Sequence, residues 1–232
     1  MRTENLIPLL RMTGNYPMTR YILGADLTDE ICEKTSFRPN RSWLADKMPY
    51  APSDDDTNYT VLAGVLIDKY GRDFTPWDVS RVWLDYQPKN AYCTAERVAF
   101  CNFVKGYNPP ESAIYKNPYR EWIGAQIRAD YFGYINPGDP EAAADMAWRD
   151  ASISHIKNGI YGELFVAAAL AVAAVTDNIE DIILGGLAQI PYSSRFYEAV
   201  MRVLENYKNG MPEEEAYKLI HDEYDEYTEH GW

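Results

Sequence analysis

The sequence predicts an all-α fold in a single domain that spans residues 1–232. Helix start signals recur along the chain, and at Thr75 and Asp139 the capping residue directly precedes a proline. Apolar residues in several segments recur at spacings of three and four, which places them on one face of a helix. No segment shows sustained apolar–polar alternation, the pattern of a half-buried strand. We therefore expect roughly eight to ten helices, which begin near residue 54.

The first clear helix is predicted from Thr57 to Tyr70, where Gly71 is placed to end it. The next helix is predicted to begin after Thr75, because Thr75 can cap the helix and Pro76 suits its first position. In the first of these helices the apolar residues at helical spacing are Val61, Leu62, Val65, Leu66 and Tyr70.

Further helices are predicted from similar signals in the second half of the chain. A helix capped by Asp139 runs toward His155, and Asn158-Gly159 is expected to interrupt it with the glycine in a left-handed conformation. The apolar run Leu164–Val175 is too short to span a membrane and predicts a helix buried in the core. The other helix starts lie at Thr94, Asn178, Ser194 and Pro212.

Two segments show little helical periodicity. Residues 1–53 and 105–138 are rich in Pro, Gly, Tyr and Asn. Loops of that length in a compact domain usually serve a function or are supported by neighbouring segments that are missing here. Both segments are therefore expected to lack long helices.

The charge of the chain excludes several classes of partner. It carries 35 acidic residues against 22 basic ones, a formal net charge of −13. Proteins that bind nucleic acids or anionic membranes use Lys and Arg to neutralise phosphates, so neither partner is expected. Its three cysteines are too few and too scattered for a disulfide framework, and none has zinc-site spacing. We expect a soluble protein of the cytoplasm.

Three consecutive aspartates, Asp54, Asp55 and Asp56, form the most distinctive local feature. One aspartate before a helix is an ordinary cap, but three repel each other unless a cation balances them. An EF-hand is excluded, because its spacing would put Tyr59 at the required glycine and Val65 at the bidentate glutamate. The cluster is either an over-charged cap or part of an oxygen-ligand site for a divalent cation.

Several motifs together resemble the ADP-ribosylglycohydrolase family. Asp54–Thr57 (DDDT) is similar to the family's first metal motif, usually Thr-Asp-Asp-Thr at a helix start. Residues 119–129 (YREWIGAQIRA) resemble its glycine-containing substrate loop, although Trp122 and Ile123 stand where Gly and Asn are frequent. Residues 136–140 (NPGDP), 148–155 (WRDASISH) and 158–163 (NGIYGE) resemble motifs of one subfamily, in the same order.

The resemblance implies an all-α hydrolase with a binuclear Mg²⁺ centre. Such an enzyme cleaves the N- or O-glycosidic bond of an ADP-ribosyl group, so its partner would be ADP-ribose or an ADP-ribosylated substrate. Carried over by motif, Asp54, Asp55 and Asp56 would be metal ligands, and Asp55 and Asp56 would also serve catalysis. The substrate-binding residues would be Gly124, His155, Asn158 and Gly159.

Some of these residues also have structural interpretations. A lone helical histidine such as His155 is often a buried structural residue, and Ser152 could orient its ring. Arg128 could tie loops together through several carbonyl groups, as buried arginines often do.

Two parts of the family pattern are not found in this chain. These are the Gly-Asp pair of the first helix and the second metal motif, of Asp-x-Asp-Thr type. The chain therefore resembles the middle of a longer family member. We expect weak Mg²⁺ affinity and weak or absent hydrolysis by this chain alone, with a complementing chain or self-association as its possible support. The alternative is a non-catalytic ADP-ribose-binding or structural protein on the same fold.

Overall fold

The structure is a computed structural model that describes residues 3–37, 44–50 and 54–225. Within these ranges every regular element is a helix, which confirms the all-α prediction. The chain forms two compact units, Met1–Ser53 and Asp54–Trp232. The assignment of residues 1–232 to a single domain stays a prediction.

The first unit contains more regular structure than its sequence predicts. Helix α1 (Thr3–Met12) and helix α2 (Asp29–Lys34) are separated by a 3₁₀ turn at Gly24–Asp26. Thr28 caps α2, since its hydroxyl accepts a hydrogen bond from the Ile31 amide. The small core of this unit consists of Leu9, Leu27, Cys32 and Leu44.

The second unit contains ten α-helices within its described residues, 54–225. These are α3 (Asp55–Tyr70), α4 (Pro76–Tyr86), α5 (Thr94–Val104), α6 (Glu111–Ile114), α7 (Asp130–Tyr134), α8 (Pro140–Ala151), α9 (Asn158–Ala173), α10 (Ile179–Leu187), α11 (Arg195–Lys208) and α12 (Glu213–Glu223). Two 3₁₀ segments lie at Lys89–Ala91 and Ile123–Arg128. No helix in the described part of the chain is long and apolar enough to cross a membrane.

Five helices of this unit begin at a side-chain cap, and four of these caps are the ones that the sequence predicts. The fifth, Asp54, caps a helix that was predicted to begin at Thr57. In each of the five, the capping side chain accepts a hydrogen bond from a backbone amide of the first turn, a donor that the helix itself leaves unpaired. Gly71 ends α3 as predicted, with a φ of 72° that favours glycine. The caps are Asp54, Thr75, Asp139, Asn178 and Ser194.

Helix α9 lies at the centre of the second unit, where it packs against α7, α8, α10, α11 and the 3₁₀ segment Ile123–Arg128. Its apolar run was predicted to be a buried helix, and Leu164, Ala167, Ala168 and Ala171 are buried. Because most of these side chains are small, neighbouring backbones approach α9 closely.

The prediction that Asn158-Gly159 interrupts a helix was wrong in position and conformation. Helix α8 ends at Ala151, and α9 begins at Asn158 with Gly159 buried in its first turn. The residue with positive φ is Lys157, at 47°. A Cβ on Gly159 would lie 2.8 Å from the Arg120 carbonyl oxygen, so the glycine serves close packing instead of a turn.

Residues 105–138 are not an irregular loop, since they contain α6, α7 and a 3₁₀ segment. Asparagine side chains tie this segment to itself and to its neighbours. The Asn102 amide donates to the carbonyls of Ser112 (2.9 Å) and Tyr115 (2.8 Å). The Asn117 amide donates to the Ser154 carbonyl at 3.0 Å. This support comes from side-chain to backbone hydrogen bonds, which leave no periodic signal.

Candidate functional site

Asp54 acts as the cap of α3. Its Oδ1 accepts hydrogen bonds from the backbone amide (2.9 Å) and the hydroxyl (2.6 Å) of Thr57. These bonds hold the pKa of the Asp54 carboxyl below its usual value. The Asp54 carboxylate is therefore already engaged within its own helix.

Asp55 and Asp56 occupy the first turn of α3, and each influences a different carboxyl group. Asp55 is half-buried, and its charge adds to the effect of burial in raising the pKa of Glu96. Asp56 is exposed, and its charge adds to the effect of burial in raising the pKa of Asp130. The two neighbouring aspartates thus act on different parts of the site.

The described residues do not complete a metal site. Among residues 3–37, 44–50 and 54–225, no group of three His, Cys, Asp or Glu side chains is arranged to hold a metal ion. Asp54 is committed to Thr57, which leaves Asp55 and Asp56 as the available carboxylates of the motif. The assignment of all three as ligands stays a prediction.

A buried charge cluster lies beneath this helix start, with Arg128 at its centre. The Arg128 Nε donates to Asp150 Oδ2 at 2.5 Å. Its Nη1 donates to Ser154 Oγ at 2.9 Å and lies 3.4 Å from Glu96 Oε1. Its Nη2 lies 3.4 Å from Glu163 Oε2. The sequence suggested that Arg128 ties loops together through several carbonyl groups. In the structure it pairs mainly with carboxylates and binds a single carbonyl, that of Asp150.

Aromatic rings cover the Arg128 guanidinium. Its central carbon lies 5.0 Å from the ring centre of Trp83 and 5.7 Å from that of Tyr59. Cation–π attraction is strongest where water is excluded, and Arg128 is 2% exposed. Trp83 in turn stacks on Tyr92, with 4.6 Å between ring centres. The cluster and the main apolar core are therefore one packed unit.

The three carboxyl groups outnumber the single arginine, so protonation balances the cluster. Burial and the charge of Asp150 raise the pKa of Glu163 well above its usual value, against the opposing effect of Arg128. Burial also raises the pKa of Glu96. Glu163 therefore keeps its proton in the folded state at a pH where an exposed glutamate has lost it.

This proton makes stability depend on pH. Because the pKa of folded Glu163 is raised, its contribution is greatest below the unfolded pKa of about 4.3 and is lost as pH rises toward the folded value. Buried His155 has the opposite dependence, since its lowered pKa favours folding above about pH 6.5. Above that pH the contribution of His155 no longer changes with pH.

We expect Glu163→Gln to reduce the loss of stability as pH rises above about 4.3, the unfolded pKa of glutamate, because the amide mimics a protonated carboxyl. Urea unfolding followed by circular dichroism at several pH values measures this slope. The exposed Glu198→Gln is the control and should retain the wild-type slope. Equal slopes in all three proteins would contradict a protonated Glu163.

His155 lies in the interior, at 0% exposure. Its Nδ1 is 2.8 Å from Ser154 Oγ, while Ser152 Oγ donates to the Arg149 carbonyl. The hydroxyl that orients the ring is therefore that of Ser154, and the suggestion of Ser152 was wrong. The His155 Nε2 has no hydrogen-bond partner within the described ranges and lies 3.9 Å from Glu96 Oε1. Burial and the Arg128 charge lower the pKa of His155, so the ring is neutral.

Gly124 lies directly against Glu96. A Cβ built on Gly124 would be 2.2 Å from Glu96 Oε1, far inside van der Waals contact. Only glycine can bring the 3₁₀ segment this close to the carboxylate. Gly159 likewise packs on His155, where a Cβ would be 2.9 Å from the ring Cδ2.

Asn158 borders an open cavity of about 340 Å³. Its Nδ2 lies 3.4 Å from Glu121 Oε2, and its Oδ1 accepts a hydrogen bond from the Phe196 amide at the start of α11. Glu121 Oε2 also lies 3.5 Å from the Arg195 guanidinium. The cavity is thus polar and carries both signs of charge.

The structure brings some of the predicted residues together and reveals others. Gly124 and His155 both approach Glu96, and Gly159 packs on His155, whereas Asn158 faces the cavity. Sequence reasoning missed three acids of the charge cluster, Glu96, Asp150 and Glu163. One signal was available for Glu163, since helical spacing places it on the buried face of α9 with Ala167 and Ala171.

Comparison with known proteins gives one match. A model of the family described as ADP-ribosylglycohydrolase matches residues 22–232, which is most of the chain. No curated protein and no solved structure matches significantly.

Proposed function

Since this chain belongs to the ADP-ribosylglycohydrolase family of hydrolases, we propose that it binds the ADP-ribose group of an ADP-ribosylated substrate and hydrolyses its glycosidic bond. Mg²⁺ is the metal that we propose for the site, at the aspartates of α3. We place the reaction in the cytoplasm and expect no nucleic-acid partner.

One observation supports this proposal more than any other. The buried carboxylate of Glu96 is a common neighbour of residues from separate motifs. Gly124 packs on it, His155 Nε2 lies 3.9 Å from it, and the charge of Asp55 contributes to its raised pKa. Candidate residues from three separate motifs therefore share a neighbour, as a common site requires.

The residues of this chain would have different roles in hydrolysis and binding. Asp55 and Asp56 would orient a water molecule and accept its proton, because they are the carboxylates of the motif that the cap leaves available. The water oxygen would form a bond to the anomeric carbon of the ribose as the glycosidic bond breaks, and the acceptor would leave with the proton that the carboxylate took from the water. Gly124 and Gly159 would allow close backbone approach, and Asn158 would supply hydrogen bonds.

The metal site would be weak in this chain. The described residues supply no third ligand beside Asp55 and Asp56, unless Asp54 gives up its hydrogen bonds to Thr57. A hard cation such as Mg²⁺ needs near-octahedral oxygen coordination, so an incomplete ligand set lowers affinity. We therefore expect slow hydrolysis by the chain alone.

The engagement of Asp54 in the cap favours a second candidate function. On this alternative the chain binds ADP-ribose without cleaving the glycosidic bond. The two candidates differ in turnover alone, so release of ADP-ribose from an ADP-ribosylated peptide distinguishes them.

We expect Asp55→Asn/Asp56→Asn to remove Mg²⁺-dependent ADP-ribose binding, with at least a tenfold loss of affinity. Each substitution removes a negative charge while preserving the size of the side chain. Isothermal titration calorimetry with ADP-ribose, with and without Mg²⁺, measures the effect.

The matched control is Glu180→Gln/Asp181→Asn, which removes two acids from the first turn of α10. This control should bind like the wild type. Equal binding by the aspartate double variant and the wild type would contradict the role of Asp55 and Asp56. A folded wild type that does not bind ADP-ribose at all would contradict the proposed function.

A further inference from the structure

Glu96 belongs to none of the motifs that resemble the family. It lies in the first turn of α5 and is 2% exposed. An ionised group at this depth is costly unless it is paired, and Arg128 Nη1 lies 3.4 Å from its Oε1. The residue therefore carries a cost that apolar packing would avoid.

The first contact of Glu96 with a predicted site residue is the one with Gly124. Any side chain at position 124 would overlap the carboxylate, since the Cδ of Glu96 would be 2.8 Å from a Cβ there. The carboxylate thus fills the space below Gly124 and limits how far the Ile123–Arg128 segment can move inward.

The second contact concerns His155. The same Oε1 atom that meets Gly124 lies 3.9 Å from His155 Nε2, a ring nitrogen without a partner in the described part of the chain. The opposite ring nitrogen is held by Ser154, whose hydroxyl also accepts from Arg128. Glu96 and Ser154 therefore flank the imidazole from its two nitrogen atoms.

From these contacts we propose that Glu96 is a positioning residue, whose buried carboxylate fixes Gly124 relative to His155 for ADP-ribose binding. This inference rests on the proposed function. It assigns Glu96 no contact with the ligand, because the residue acts through Gly124 and His155.

Glu163 provides a matched comparison for this role. It lies at the same distance from Arg128, 3.4 Å, and its exposure is 0%. None of its atoms is among the three nearest to a Cβ built on Gly124, and the ion pair of His155 is with Glu96 and not with Glu163. If the cluster matters for stability alone, changes at Glu96 and Glu163 should have similar effects on binding.

The test compares Glu96→Gln with Glu163→Gln by calorimetric titration with ADP-ribose in the presence of Mg²⁺. We expect the dissociation constant of Glu96→Gln to be at least tenfold higher than that of the wild type. For Glu163→Gln we expect a value within twofold of the wild type. Urea unfolding establishes that each variant is folded. The ¹⁵N resonances of the His155 ring should shift in Glu96→Gln and stay unchanged in Glu163→Gln.

The remaining outcomes decide between the two proposals. If the wild type binds ADP-ribose and the two variants bind equally, the positioning role is wrong while the proposed function stands. If the folded wild type does not bind ADP-ribose, the positioning role and the proposed function are both wrong.

Should Glu96→Gln fail to fold, Glu96→Asp keeps the charge but withdraws the carboxylate from Gly124 and His155. We expect the same tenfold loss for Glu96→Asp, with Glu163→Asp as its control. If neither Glu96 variant folds while both Glu163 variants do, Glu96 serves stability and the positioning role is overturned.

Discussion

Arg128→Met is expected to lower the free energy of unfolding by about 3–5 kcal/mol at neutral pH. The substitution leaves Glu96, Asp150 and Glu163 buried without their cation, and an uncompensated buried charge is among the most costly defects in a protein. It also removes the hydrogen bonds from Arg128 to Ser154 and to the Asp150 carbonyl. Urea unfolding followed by circular dichroism measures the loss.

Arg202→Met is the control for this prediction. Arg202 is half-exposed, with 47% of its side chain accessible, and pairs with Glu223 near the surface. Such a pair contributes about 0–1 kcal/mol to the free energy of unfolding, so Arg202→Met should lower it by no more than this. The loss of unfolding free energy caused by Arg128→Met should be smaller at acidic pH, because protonation neutralises the carboxyl groups that have lost their arginine. A small loss of unfolding free energy at all pH values would contradict the conclusion that Arg128 balances the buried carboxyl groups.

Trp83→Ala is expected to cost about 3–5 kcal/mol of unfolding free energy as well. Trp83 is 1% exposed, stacks on Tyr92 and meets Phe103 edge-on at 6.3 Å between ring centres. Its removal leaves a cavity in the core and uncovers one side of the Arg128 guanidinium. The same urea unfolding experiment measures this change.

Trp77→Ala, in the first turn of the same helix, is the matched control. Trp77 is 47% exposed, so its loss should cost well under half as much. In the double variant Arg128→Met/Trp83→Ala, the effects should not add, because the two side chains are in contact. Simple additivity would indicate that the ring and the cation contribute independently.

Local signals predicted much of the fold. Caps such as Thr75, Asp139 and Ser194 could be identified from the sequence because a cap acts on its own first turn. The buried α9 could be predicted because an apolar run too short to span a membrane is typical of a helix packed in a core. Both signals lie within a few residues of the structure that they determine.

Other features depend on residues that are distant in the sequence. Asn158-Gly159 has the composition of a turn, but the Arg120 carbonyl and the His155 ring require a glycine inside a helix there. The helix α1 and the short helices of residues 105–138 were missed for a similar reason. Where packing decides the conformation, local propensity alone is a weak guide.

The candidate site likewise combines residues that the sequence predicted with a residue that it did not. Motif resemblance selected Gly124 and His155, and the structure places both beside Glu96. Nothing in the sequence indicated Glu96 itself, since an acid in the first turn of a helix is ordinary. Its burial follows from Arg128, which lies 32 residues further along the chain.

The Arg128 cluster also has a consequence for how related sequences diverge. A protein with a margin of about 5–15 kcal/mol cannot readily pass through a form that retains buried acids without their arginine. Changes at positions 96, 128, 150 and 163 should therefore be inherited together. In a lineage where an apolar residue replaces the arginine, neutral residues should stand at the three acidic positions.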